Sequence, residues 1–193
     1  MIRRFLLFVI LLSSSELSAQ VIYVNATASG SNNGSSWANA YLNLQDALTN
    51  AFPGNQLWVA SGIYKPAPAN HPDSCFNLKN GIEIYGGFNG YEVSLSERNY
   101  KTNLTILSGD IDNNDMASPA ITVTDIVGYN SKHIFRIKRI DSAALIAGFT
   151  FTAGCANDTT PTEGGGAINI DTSYIHITNC TFQANKTHGS LGG

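Results

Sequence analysis

Two eleven-residue segments of the chain align without a gap and repeat one pattern of apolar residues. Residues 144–154 (ALIAGFTFTAG) align on residues 175–185 (IHITNCTFQAN) at an offset of 31. In both copies the alternation of apolar residues changes phase once, at Gly148 and at Asn179. A strand that changes phase keeps one face buried only if the chain bends there, and Gly and Asn adopt the left-handed backbone at little cost. The pattern predicts two strands joined by a one-residue corner in each copy.

Apolar strand cores upstream extend this repeat. They begin at Leu57, Ile82 and Leu104, which are 25 and 22 residues apart, about the length of one coil of a β-solenoid. The exchange of Gly for Asn, both of which tolerate a left-handed backbone, also recurs at Gly154 and Asn185. The sequence therefore predicts an all-β fold, a parallel β-helix.

One amphipathic helix precedes these strands. Its apolar residues have the spacing i, i+3, i+4, i+7 of a single buried helix face; they are Leu44, Ala47, Leu48 and Ala51. Asn43 is suited to cap the first turn, and Pro53-Gly54 ends the helix. A single short helix before a run of strands indicates a lid over the open end of the β-structure.

The first nineteen residues have the layout of a secretory signal peptide. Two arginines near the start are followed by a short apolar run, Phe5–Leu12, and by small and polar residues up to Ala19. The run is shorter than the ~20 residues that span a bilayer. We expect a secreted or cell-surface protein without a transmembrane segment after signal removal. The predicted organisation is a signal peptide (1–19), an N-terminal cap of strand plus helix (20–56) and β-helix coils (57–193).

Charge excludes two classes of protein. Lys and Arg total 11 against 14 Asp and Glu, which gives a net charge of −3 without any basic block. Such a chain does not have the phosphate-binding surface of a nucleic-acid-binding protein. Only 13% of residues are charged, whereas helical bundles usually carry many charges on their surfaces.

The three cysteines cannot all pair within one molecule, although export permits disulfides. In the alignment Cys180 matches Phe149, an inward position, and Cys155 matches Lys186 in the turn beyond. A bridge between Cys155 and Cys180 would require that turn to fold back. We interpret Cys180 as a small core residue, and the disulfide state of Cys75 stays open.

Two short motifs lie in the last part of the chain, Gly165-Gly166-Ala167-Ile168 and Phe182-Gln183-Ala184-Asn185. They resemble the GGA[ILV] and FxxN repeats of polymorphic outer-membrane proteins, which are autotransported adhesins. Gly192-Gly193 is similar to the start of a further GGA motif. This resemblance implies that the chain stops inside a repeat and is C-terminally truncated.

A wider set of segments extends the comparison to nearly all of the mature chain: Gly34–Trp37, Leu44–Leu48, Trp58–Ala60, Gly62–Pro66, Gly86–Phe88, Glu97-Arg98 and Leu107–Asp110. With these segments the chain is similar to secreted bacterial β-helix proteins of the pectin-lyase-like superfamily. The resemblance implies a right-handed β-helix that works outside the cell. It does not imply an enzyme, because the superfamily contains lyases, hydrolases and non-catalytic adhesins.

An acidic segment is the only candidate metal site. Asp110, Asp112 and Asp115 alternate with Asn residues, and carboxylate and amide oxygens are suitable calcium ligands. The segment lacks the Gly and the distal Glu of an EF-hand loop. The alternative is an acidic turn between coils, since turns favour Asp and Asn in any case.

A basic strand is predicted one coil after the acidic segment. If Phe135 and Ile137 face inwards, Arg136 and Lys138 share the outer face. This resembles in outline a β-helix polysaccharide lyase, in which calcium neutralises a uronate carboxylate and a basic side chain abstracts the adjacent proton. The alternative is a solvated basic strip.

Aromatic and histidine side chains give weaker indications. Five aromatic residues have the ring faces that stack on sugars, yet we expect them to pack in the core or cap; they are Trp37, Trp58, Tyr64, Tyr85 and Tyr91. Three isolated histidines are interpreted as surface residues; they are His133, His176 and His188.

Two functions follow as hypotheses. The favoured one is a non-catalytic, adhesin-like protein at the cell surface or outside the cell that binds glycans or partner surfaces. The alternative is a carbohydrate-active enzyme of the polysaccharide lyase type, with calcium-assisted β-elimination on uronates. No catalytic residue is assigned, and calcium is the only cofactor considered.

Overall fold

The computed structural model describes residues 19–66, 71–156 and 164–187. Within them the protein is mostly parallel β-strand, with one α-helix, Leu44–Asn50, and two short 3-10 helices, Leu95–Glu97 and Val123–Asp125. Nearly all of the predicted signal peptide lies outside the described residues, as do His188 and Gly192-Gly193. No helix in the described ranges combines the length and apolarity needed to cross a membrane.

The strands of the described ranges form four sheets, and all pairs of named strands are parallel. Sheet 1 contains β1 (Val21–Val24), β2 (Gln56–Ala60), β5 (Glu83–Phe88), β8 (Leu145–Ala147) and β12 (His176–Thr178). Sheet 2 contains β3 (Gly62–Tyr64), β6 (Thr105–Ser108), β9 (Phe149–Thr152) and β13 (Thr181–Phe182). Sheet 3 contains β4 (Phe76–Asn77), β7 (Phe135–Lys138) and β11 (Ile168–Asp171). Sheet 4 contains β10 (Cys155–Ala156) and β14 (Lys186–Thr187).

The chain visits these sheets in a fixed order. We call a pass the run of consecutive strands that begins in sheet 1, continues in sheet 2 and ends before the chain returns to sheet 1. In the described residues the passes are β2–β3–β4, β5–β6–β7, β8–β9–β10–β11 and β12–β13–β14. The neighbours of a strand within its sheet come from the passes before and after it. This arrangement confirms a β-dominated fold with parallel sheets and is compatible with the predicted β-helix.

One of the predicted repeat units belongs to a different sheet. The cores at Leu57 and Ile82 both lead into sheet 1, where Leu57 pairs with Ile84. The core at Leu104 leads into β6 of sheet 2, so it is the second strand of the Ile82 pass and not the start of the next one. Sequence spacing suggested otherwise because the segment 89–104 separates the starts of β5 and β6 by 22 residues, about the length of one coil.

The first predicted corner is confirmed. Gly148 has φ 83° and Asn179 has φ 53°, and each separates a strand of sheet 1 from a strand of sheet 2. The two copies stack in register, because Ile146 of β8 pairs with Ile177 of β12. The change of apolar phase is therefore a change of sheet.

A second left-handed corner lies one residue before the recurring Gly and Asn. The left-handed residues are Ala153 (φ 65°) and Ala184 (φ 47°), not Gly154 and Asn185. Gly154 is needed for a different reason, because a side chain there would collide with the backbone carbonyl of Gly166, which precedes β11 in the same pass. Asn185 uses its side chain: Oδ1 accepts from Gly154 N at 3.0 Å and Nδ2 donates to the Phe151 carbonyl at 2.9 Å.

The interior between the sheets is apolar. Inward side chains of successive passes stack directly on one another, as Leu57, Ile84 and Ile146 do in sheet 1. The rings of Phe151 and Phe182 are stacked with centroids 4.8 Å apart. Each pass therefore buries its inward face partly against the neighbouring passes.

The helix α1 (Leu44–Asn50) covers the β1 end of this interior. The Asn43 side chain accepts from Gln45 N at 2.8 Å, as expected of an N-cap, and Leu44 and Leu48 are fully buried in the same apolar cluster as β1 and β2. Lys79 Nζ donates to the Thr49 and Ala51 carbonyls at the helix end. The predicted cap is continuous with the sheets, because β1 pairs with β2.

Candidate functional site

The outer face of sheet 3 carries the predicted basic residues. In β7 the side chains of Phe135 and Ile137 are buried, Arg136 is partly exposed and Lys138 is exposed. The alternation expected from the sequence is confirmed. Arg136 and Lys138 thus point to the same outer surface.

Strand register places Arg136 in a polar row. Asn77 of β4 pairs with Arg136 on one side, and Asn169 of β11 pairs with it on the other. Lys138 lies beside Asp171 of β11. Because neighbouring strands are ~4.8 Å apart, the row is a flat platform of amide and guanidinium groups across three strands.

The platform is positively charged. Residues 132–139 contain four of the 11 Lys and Arg residues of the chain, namely Lys132, Arg136, Lys138 and Arg139. Two acidic residues lie beside them: Asp171, and Asp73, whose Oδ1 is 2.7 Å from Lys132 Nζ. The hydrogen bond from Lys132 lowers the pKa of Asp73, and the charges of Arg136 and His133 add to this. A third acidic residue, Asp141, follows Arg139 by two residues, so four positive and three negative groups leave an excess of one positive charge, which favours an anionic ligand.

The acidic segment lies between β6 and β7, so it belongs to the same pass as Arg136 and not to the coil before. Asp110 is buried and accepts from Lys65 Nζ at 3.1 Å. Burial raises the pKa of Asp115, and the negative charges of Asp110 and Asp112 add to this effect. The three carboxylates therefore lie close enough to repel one another. In the part of the chain that the structure describes, no three His, Cys, Asp or Glu side chains form a group that could hold a metal by themselves.

Arg98 builds the corner between sheets 1 and 2. Its guanidinium carbon lies 5.2 Å from the ring centroid of Tyr85 and 5.5 Å from that of Tyr100. Its Nη1 donates to the Gly86 carbonyl at 2.9 Å. A Cβ on Gly148 would lie 2.6 Å from this nitrogen, so the corner needs Gly for space as well as for its positive φ. Arg98 of the Glu97-Arg98 motif thus has a structural role at this corner.

A groove of about 420 Å³ runs along this corner. Tyr100 Oη donates to Asn179 Oδ1 across it at 3.1 Å. Its other lining residues include Lys101, Leu104 and Cys180. The sequence analysis missed this groove, because residues 98–104 approach Asn179 only in the folded chain.

The aromatic residues pack as expected, with one exception. Trp58, Tyr64 and Tyr85 are buried, and Trp37 donates from Nε1 to the Glu92 carbonyl at 2.9 Å while packing near Phe88. Burial, together with the hydrogen bond to Glu83, raises the pKa of Tyr85 to about 12. Tyr91 is 72% exposed, so the prediction that it packs in the core or cap is wrong. Tyr91 lies in the loop after β5, where the alternation of apolar strand residues has ended.

One histidine prediction is also wrong. His133 is only 2% exposed, and its Nδ1 lies 2.8 Å from the Gly165 carbonyl, where the third pass covers it. His176 is exposed, as predicted. The cysteines that the alignment placed apart are free thiols: Cys155 pairs in register with Lys186, and Cys180 packs against the core. Burial raises the pKa of both thiols, so neither is an activated nucleophile.

Comparison with known protein families, with curated proteins and with solved structures finds no match.

Proposed function

We propose that the four passes are coils of a right-handed parallel β-helix, similar to the secreted proteins of the pectin-lyase-like superfamily. The support is the fixed order of sheets 1, 2 and 3, the parallel stacking of every strand pair and the left-handed corners at Gly148 and Asn179. Such a fold gives regular outer faces on which side chains repeat from coil to coil. The handedness comes from the resemblance described above.

The proposed function is non-catalytic, adhesin-like binding of glycans outside the cell or at its surface. The outer face of sheet 3 is the proposed contact surface. The observation that carries this is the register of Asn77, Arg136 and Asn169, which aligns two amides and a guanidinium on one flat row. Amide groups bind sugar hydroxyls, and the guanidinium binds carboxylate or sulfate groups. The excess of positive charge on this face favours glycans that carry acidic groups.

Binding to a model anionic glycan tests this function. The purified secreted chain is titrated with polygalacturonate and, separately, with a neutral galactan, at low and at physiological ionic strength. We expect binding to the anionic polymer only, and weaker binding at the higher salt concentration, because exposed charges are screened. Equal binding to both polymers, or to neither, would contradict the proposal.

A matched pair of variants locates the surface. Lys138→Gln removes a charge from sheet 3, whereas Lys101→Gln removes an exposed charge near the corner groove. One exposed ion pair contributes ~0.2–1 kcal/mol, so Lys138→Gln should weaken binding by about 1.5- to 5-fold and Lys101→Gln should not. Equal losses of affinity in the two variants would show that the outer face of sheet 3 is not the binding surface.

The same reactions distinguish binding from catalysis. A lyase that eliminates across a uronate produces an unsaturated sugar, which absorbs in the ultraviolet. We expect no increase in absorbance when polygalacturonate is incubated with the protein and calcium. A steady increase that Arg136→Gln abolishes would replace the binding proposal with the lyase alternative.

A further inference from the structure

The loop between β6 and β7 brings Asp112 and Asp115 against residues 127–130, and the Asp115 carboxylate contacts the buried side-chain amide of Asn130. Asp112 Oδ2 accepts from Tyr129 N at 2.8 Å, and Asp115 Oδ1 accepts from Val127 N at 2.9 Å. The Nδ2 atom of Asn130 lies 3.3 Å and 3.1 Å from the two oxygens of Asp115. Asp112 and Asp115, near the start of the loop, therefore contact residues 127–130 near its end.

Two oxygens at this place are buried without a hydrogen-bond partner. One is Oδ1 of Asn130, a residue that is only 5% exposed, and the other is Oδ1 of Asp112. Buried polar atoms are nearly always paired in folded proteins, because an unpaired atom loses its bonds to water and gains none. A bound cation is one of the partners that explain such atoms.

The distribution of charged groups around these carboxylates also favours a bound cation. Lys65 Nζ neutralises Asp110, at 3.1 Å from Oδ2, and also donates to Asn113 Oδ1 at 2.7 Å. In the described residues no Lys, Arg or His nitrogen lies within salt-bridge distance of Asp112 or Asp115. Two partly buried carboxylates thus lie near each other without a positive partner, an arrangement that costs free energy unless a cation binds.

We infer that Asp112, Asp115 and Asn130 bind a divalent cation of the calcium type. All donors are oxygens, which calcium prefers and zinc does not. A half-turn of the Asn130 amide exchanges its nitrogen and oxygen, and would direct the unpartnered oxygen at Asp115. The Ala153 carbonyl, 3.0 Å from Asn130 Nδ2, supplies a further oxygen. With only two carboxylates, the remaining ligands are amide, carbonyl and water oxygens.

Thermal unfolding of the whole mature chain tests the site. After treatment with a chelator, calcium at about 100 times its dissociation constant should raise the melting temperature by about 5–10 °C, whereas zinc should not. Asp115→Asn should weaken calcium binding at least tenfold. The control Asp141→Asn removes one exposed Asp outside the cluster and should behave as the wild type. An equal calcium response of the two variants would overturn the inference.

Terbium luminescence provides a second readout that does not depend on stability. Terbium replaces calcium in oxygen sites, and Tyr129 adjoins this one. We expect a saturable luminescence signal that calcium displaces and that Asp115→Asn removes. Tyr129→Phe should lose most of the signal yet keep the calcium-dependent melting shift. A signal that neither Asp115→Asn nor Tyr129→Phe reduces would place terbium elsewhere and reject the site.

Asn130→Asp distinguishes a cation ligand from a structural amide. The new carboxylate would face Asp115, so the variant should melt at a lower temperature than the wild type in chelator. In calcium it should recover and bind the ion more tightly than the wild type does. A variant that is equally destabilised with and without calcium would show that Asn130 serves only as a hydrogen-bond donor and would overturn the inference.

Discussion

The third and fourth passes have one sequence pattern and one backbone path, yet they differ in burial. Phe151 of the third pass is fully buried, whereas its aligned partner Phe182 is 50% exposed. Gly148 is buried behind Arg98, whereas Asn179, at the equivalent corner of the fourth pass, is exposed. The third pass has a described pass on each side, and the fourth pairs with one only.

This difference shows where the stability of each pass originates. The local pattern of alternating apolar residues directs side chains inwards in both passes, but only a stacked neighbour removes them from water. At the β1 end the helix α1 takes the place of such a neighbour, since Leu44 and Leu48 are fully buried there. Apolar burial contributes ~25 cal/mol per Å², so stacking and capping decide the energy.

We expect the largest loss of stability from variants that remove the apolar contacts of α1 with the sheets. Replacing Leu44 and Leu48 together by Asp places two charges in the apolar cluster of β1 and β2. Each buried Leu contributes roughly 1.5–3 kcal/mol, a large share of a stability of ~5–15 kcal/mol. We expect aggregation or loss of cooperative melting by circular dichroism. An unchanged melting temperature would mean that the helix is not a lid.

Substitution of the aligned residues Phe151 and Phe182 compares the energy of burial in the third and fourth passes directly. Phe151→Ala should cost about 3–5 kcal/mol, because the buried ring leaves a cavity between two passes. Phe182→Ala should cost less than half as much, since its ring stacks on one neighbour only. Urea unfolding of both variants gives the two free energies. Equal costs would show that the fourth pass is as well covered as the third.

Substitution at the corner of the fourth pass tests the backbone conformation separately from apolar burial. Asn179 has φ 53°, so Asn179→Val should cost roughly 1–3 kcal/mol, because a β-branched residue is strained at positive φ. The measurement is the shift of the thermal midpoint relative to the wild type. Tolerance of Val would mean that residue 179 lies in a continuous strand.

The smallest effect is expected for Asn179→Gly. Gly relaxes the backbone, but the variant loses the bond from Tyr100 Oη, and the two terms should nearly cancel to within ~0.5 kcal/mol. Tyr100→Phe provides the control, because it removes the same bond and leaves the corner unchanged. A Gly variant less stable than the Val variant would contradict the left-handed corner.

The sequence by itself determined the features that short-range periodicity encodes. These are the helix with its Asn43 cap, the inward and outward faces of β7, and the corner at Gly148 and Asn179. Each depends on the backbone preferences or the side-chain alternation of a few consecutive residues. The acidic segment and the basic strand were likewise visible as residue types, although not their contacts.

Only the tertiary structure decided how distant segments meet. The stretches 89–104 and 109–134 leave the strand pattern, so their length concealed that Leu104 leads into sheet 2 and that the acidic loop shares a pass with Arg136. The burial of His133 beneath Gly165, and the contact of Tyr100 with Asn179, also join residues of different passes. The physical reason is that periodicity shows which side of a strand faces inwards, whereas stacking decides which neighbour covers it.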